Sequence, residues 1–145
     1  MDGNYHPKPS KATISNAMDV GNPSNFVRIL EMYGHDLKAF EKDFSSFSLS
    51  DPATIQALRH IYQISGYVAE PHGAVGYLGL KKQLEKHPES IGVFLETAHP
   101  IKFLEIVEAT LNIKLPVPSQ IESVMGQEKK SINIKNYQDL KAFLK

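Results

Sequence analysis

The sequence predicts an α/β fold in which helices pack on a small, mainly parallel sheet. Three observations predict it: an amphipathic helical pattern over Asp51–Ser65, a continuous apolar run over Ser90–Leu95, and regular alternation of helix-like with strand-like segments from Asn22 onward. Alternation of this kind is the mark of strands wrapped by crossover helices.

The elements follow in order. Pro7 and Pro9 oppose helix near the start, so residues 1–12 read as an irregular leader to a single domain covering 1–145. Asn22-Pro23-Ser24 offers a cap and a proline for a first turn, and Phe26, Val27, Ile29, Leu30 and Tyr33 supply the apolar face. Gly34 is placed to end that helix, and Asp36–Phe44 forms a second. Ser46–Ser50 alternates polar with apolar, as a short strand would. In the Asp51–Ser65 helix, Ile55, Leu58, Ile61 and Tyr62 share a face, and Gly66 sits at its end. Tyr67–Ala69 is read as a short strand leading into a helix that opens at Pro71.

That helix carries Gly73, Gly76 and Gly79 at intervals of three. Each glycine costs roughly 0.8–1.0 kcal/mol relative to alanine in a helix interior. A stripe of small residues makes sense where another backbone or a ligand comes close. Ser90–Leu95 has the pattern of a strand buried on both faces. Pro100–Leu111 reads as the next helix, with Pro118–Val124 a short one. Ile132–Ile134 is an edge strand, and Tyr137–Leu144 closes the chain.

Composition excludes several functions. Sixteen basic residues balance sixteen acidic ones, and a nucleic-acid binder needs a basic excess to neutralise phosphates. No apolar run approaches the roughly 20 residues that span a bilayer, so no membrane partner is expected. The start lacks the apolar stretch of a secretory signal. Without cysteine there is no disulfide, thiolate nucleophile or zinc–thiolate site, which fits a cytoplasmic protein. The six histidines show no i,i+4 pair or HExxH spacing, so no metal site is expected. No G-x-S-x-G elbow and no phosphate-binding glycine loop occurs.

Three patches are more specific than the rest. The first is Asn16-Ala17-Met18-Asp19-Val20-Gly21-Asn22-Pro23-Ser24-Asn25-Phe26-x-Arg28, preceded by Ser15. On its own it reads as an extended segment and a capped helix, with Arg28 pairing a surface carboxylate. The second is Glu70-Pro71-His72-Gly73-Ala74-Val75-Gly76-Tyr77, a proline-started helix whose small face packs on the sheet. The third, Glu96-Thr97-Ala98-His99-Pro100-Ile101-Lys102-Phe103, reads as a strand-to-helix turn with Thr97 as its cap.

In this order the three patches resemble the bacterial and fungal threonine synthases, fold-type II pyridoxal-phosphate enzymes with similar SNAMDVG-x-PSNF-x-R, DPH-x-AVG and TAHP-x-KF segments in their C-terminal part. The resemblance is strong from Gly3 to about Phe103 and weaker beyond. Glu70 departs from the usual aspartate, Glu96 from a small residue, and Ile101 from alanine. The resemblance implies a lyase that converts O-phospho-L-homoserine and water to L-threonine and phosphate. It implies pyridoxal phosphate as cofactor, with Thr97 hydrogen-bonded to the pyridine nitrogen. It also implies Asn25, Arg28 and His72 beside the substrate, Arg28 offering a planar fork to phosphate. Read from the residues alone, Asn25 is equally a helix cap.

None of the fourteen lysines lies in a recognisable lysine–cofactor motif. The resemblance therefore implies that the Schiff-base lysine and phosphate loop lie upstream. The chain is then about the last third of such an enzyme, inactive alone and open to self-association. Two other readings are a stand-alone non-catalytic binding domain and part of a sister fold-type II enzyme, a dehydratase or β-replacement synthase.

Overall fold

The computed structural model describes residues 6–145, so the first five residues of the expected leader lie outside it. Residues 6–12 carry no regular element. A 3-10 turn at Asn16–Met18 follows, braced by Asp19, whose carboxylate accepts from the Thr13 backbone N–H (2.8 Å) and hydroxyl (2.7 Å). Helices α1 (Phe26–Met32) and α2 (Leu37–Asp43) come next. Asp36 caps α2 by accepting from the amides of Lys38 and Ala39. Tyr33, Phe40 and Phe44 form an aromatic cluster beside it, with Phe40 and Phe44 stacked at 4.7 Å.

Helix α3 (Asp51–Ser65) begins with Pro52 in its first turn and ends at Gly66, whose φ of +71° is the left-handed conformation glycine adopts without steric cost. Helix α4 runs Pro71–Leu84, and a 3-10 turn at Pro100–Phe103 leads into α5 (Leu104–Leu111). The core is where α3 meets α4 and α5: Ala57, Leu58 and Ile61 of α3 pack with Ala69 and Ala74, flanked by Tyr77, Leu78 and Leu111. Leu58, Ala74 and Val107 are fully buried. Arg59 Nε also donates to the Thr110 carbonyl at 3.1 Å, tying α3 to the end of α5. Residues 116–145 form a second compact unit containing α6 (Ser119–Glu122) and α7 (Tyr137–Phe143), the latter capped by Asn136, which accepts from the Asp139 amide.

Among the described residues there is no strand, and the expected sheet is absent. The segments read as strands at Ser46–Ser50, Tyr67–Ala69, Ser90–Leu95 and Ile132–Ile134 have no ladder partner. The reason is that a strand is a property of a pair. Apolar alternation can extend the backbone, but the ladder needs a second extended segment to supply donors and acceptors. Segment 91–97 shows the distinction. It is extended and its burial alternates with period two, yet only one face is covered. Gly92, Phe94 and Glu96 turn toward α4, whereas Ile91 (97% exposed), Val93 (81%) and Leu95 (75%) face outward.

The glycine stripe of α4 receives this inner face rather than a sheet. Running along the helix in the opposite direction, Gly92 lies on Leu80, Phe94 on Gly76 and Tyr77, and Glu96 on Gly73. The helix expected from Pro100 to Leu111 divides at Phe103, where φ −123° and ψ 35° break the α geometry.

Candidate functional site

The site is built where the end of segment 91–97 reaches the start of α4. Glu70, fully buried, is the N-cap: its Oε2 accepts from the His72 amide and its Oε1 from the Gly73 amide, both at 2.9 Å. Pro71 occupies the first helical position, where its missing N–H is no loss. The same Glu70 Oε2 lies 2.5 Å from His72 Nδ1. The other nitrogen of the ring is Nε2. That Nε2 is buried and has no partner among the described residues. The His72 ring, 14% exposed, packs on Phe103 of the 3-10 turn at 4.8 Å between centroids.

Glu96 enters this pocket from the extended segment. Both of its carboxyl oxygens are buried without a hydrogen-bond partner among the described residues. A Cβ at position 73 would collide with the Glu96 carboxyl, so the missing side chain of Gly73 is the notch that holds it. Burial, and then the Glu70 carboxylate, push the Glu96 carboxyl up to about 7, offset in part by the Glu70 backbone and by His72. The same burial effect, with Glu96 and Glu70 behind it, raises the nearby Tyr67 hydroxyl.

Thr97 is exposed on the outward face with Leu95, and no side-chain hydrogen bond occupies its hydroxyl among the described residues. It does not cap the turn that follows. His99 does, its Nδ1 accepting from the Ile101 amide at 3.1 Å. Asn25 stands at the N-cap position of α1 but makes no side-chain cap bond, so capping does not account for it. Arg28 is exposed and has no ion pair among the described residues. The structure thus brings His72 together with Glu70, Glu96 and Phe103, next in chain to Thr97. Asn25 and Arg28 belong to α1 and its N-cap, and no side-chain hydrogen bond or ion pair among the described residues joins them to this cluster. Glu70 and Glu96 are the residues that motif reading passed over. Their signal in the sequence was that both depart from the motifs they interrupt. No group of His, Asp and Glu among the described residues has metal-binding geometry.

Residues 73–144 match the family model described as threonine synthase, C-terminal. Threonine synthase of Haemophilus influenzae is 46% identical over 123 residues, which are 83% of this chain and 27% of that protein. The crystal structure of threonine synthase from Escherichia coli superposes with a TM-score of 0.82 at 36% identity, covering 99% of this chain and 33% of that one. A PLP-bound threonine synthase from Brucella melitensis shares the fold with a TM-score of 0.60 at 24% identity, over 88% of this chain and 32% of that one. The chain belongs to the threonine synthase family. It spans about a quarter to a third of the length of these relatives. Neither a sister fold-type II enzyme nor a stand-alone interaction domain is favoured.

Proposed function

We propose that this chain is the single C-terminal portion of a cytoplasmic threonine synthase, a pyridoxal-phosphate-dependent lyase that converts O-phospho-L-homoserine and water to L-threonine and phosphate. The observation that carries the proposal is the match of nearly the whole chain to one third of the Escherichia coli enzyme, in fold and in sequence together. Cytoplasmic placement rests on the kind of enzyme and on composition; no helix among the described residues is long and apolar enough to cross a membrane.

The residues present fit the cofactor at one point. Thr97, at the carboxyl end of an extended segment, offers a hydroxyl with no side-chain hydrogen bond among the described residues. A hydroxyl there satisfies a ring nitrogen without the negative charge that would hold it protonated. When bound, the cofactor withdraws electrons from the substrate's reacting carbons. The chain's own contribution is to orient: Thr97 toward the ring, His72 along the wall of the cleft, Asn25 and Arg28 toward the substrate and its phosphate. The first-turn amides of α4 do not hold a phosphate, because Glu70 already takes those of His72 and Gly73. The phosphate loop and the lysine that holds the cofactor covalently belong to the remaining two thirds of the enzyme.

The test compares this chain with the full-length enzyme. The chain with pyridoxal phosphate is expected to give no borohydride-reducible lysine adduct at stoichiometric level and no threonine. The full-length enzyme is expected to give both, and Thr97→Val within it to weaken cofactor retention. A stoichiometric adduct on a lysine of this chain would overturn the assignment.

The outward face of segment 91–97 supports a second element of the proposal, self-association of the isolated chain. Three large apolar side chains alternate there beside backbone groups with no ladder partner. Sedimentation is expected to show association at high concentration that Val93→Lys with Leu95→Lys abolishes. A strictly monomeric parent chain would count against it.

A further inference from the structure

Segment 91–97 lies on α4 with no backbone ladder among the described residues, so its inner side chains hold it there. Gly92, over which the Leu80 side chain closes, and Phe94, edge-on to Tyr77, make only apolar contacts with α4. Glu96 is different. Its carboxyl fills a recess of defined shape, closed below by the Gly73 backbone, and lies next to the buried Glu70–His72 pair. We infer that Glu96 is a positioning residue: its carboxyl, seated in the notch over Gly73, fixes the end of the extended segment and with it the place of Thr97.

The seat accepts the neutral acid better than the carboxylate. The groups that face it are Glu70 and His72 at the start of α4 and Tyr67 in the preceding loop, while Lys102 on the 3-10 turn is exposed. Undocked, the carboxyl returns to its ordinary value of 4.5, whereas docked it titrates at about 7. A group whose pKa is raised by docking contributes stabilisation that is fully present below the lower value and lost as pH rises through the higher one. The segment is therefore held more firmly at pH 5 than at pH 8, and most firmly below 4.5. The role of the latch in cofactor contact rests on the reading of Thr97 above; the latch itself does not.

The experiment is amide hydrogen exchange on this chain across residues 91–98, corrected for the intrinsic pH dependence of exchange, with α3 as internal reference. Each unit of differential pKa is a factor of ten in the docking equilibrium, so protection of the segment is expected to fall about tenfold or more between pH 5 and pH 8. Glu96→Gln, which keeps the shape and cannot ionise, is expected to remove that fall. Gly73→Ala, which evicts the carboxyl, is expected to leave the segment poorly protected at both pH values with α3 unchanged. A wild-type segment equally protected at both pH values, or the same fall in Glu96→Gln, overturns the inference. Should Glu96→Gln not fold, an undiminished pH response in Gly73→Ala overturns it. Intact latch behaviour with a Thr97→Val enzyme that retains cofactor normally would leave the latch standing and remove only the cofactor contact.

Discussion

Leu58→Ala is expected to cost about 3 kcal/mol of stability, measured as a lowered urea midpoint with an unchanged slope. Leu58 is fully buried at the junction where α3 packs on both α4 and α5. Its neighbours are small or already committed: Ala57, Ala69 and Ala74 cannot grow into the space, and Ile61 is held by the same helix. The site therefore collapses poorly, and the cavity adds to the lost transfer free energy. Ile64, one and a half turns along the same helix and 64% exposed, is the control. Its replacement by alanine is expected to fall within about 0.5 kcal/mol of the parent. Equal losses at the two positions would mean that this packing does not hold α3 in place.

Glu70→Ala is expected to cost about 2–3 kcal/mol, because it removes a cap and also strands buried donors. Three bonds end on this one carboxylate: the amides of His72 and Gly73 and the His72 ring nitrogen. A solvent-exposed cap would be replaced by water at small cost, but Glu70 is fully buried and water has little access. Glu70→Gln retains an acceptor oxygen and is expected to lose roughly half as much. The variant has a second signature. The Glu70 carboxylate is one of the charges that raises the Glu96 carboxyl, so its removal is expected to lower the midpoint of the exchange transition of segment 91–98. Thermal or urea unfolding measures the first effect and the exchange profile the second. An alanine variant as stable as the parent would show that the buried carboxylate is dispensable to α4.

The family could be read from the sequence because its marks are local. Ser15–Arg28, Glu70–Tyr77 and Glu96–Phe103 are contiguous stretches, and contiguity is what a motif preserves. The helices were legible for the same reason: α3 carries its period, its proline and its terminal glycine within fifteen residues. Of the glycine stripe of α4 only Gly73 meets a close approach, by the Glu96 carboxyl and not by a backbone or a sheet. Thr97 as a cap could not be judged from spacing, since His99 two residues later carries an equally suitable acceptor and takes that place. Glu70 and Glu96 looked like departures from a pattern because their meaning lies in each other, across 26 positions of chain.

Sequence by itself determined the family, most of the helices and the extended character of Ser90–Leu95, all of which depend on neighbours within a turn or a pleat. Only the tertiary structure decided that no ladder joins the extended segments among the described residues. Only it showed that a buried carboxyl ends the segment in a notch left by Gly73. The physical reason is the same for both. Backbone pairing and the seating of a charge are settled by groups distant in the chain, whose arrival no local pattern encodes.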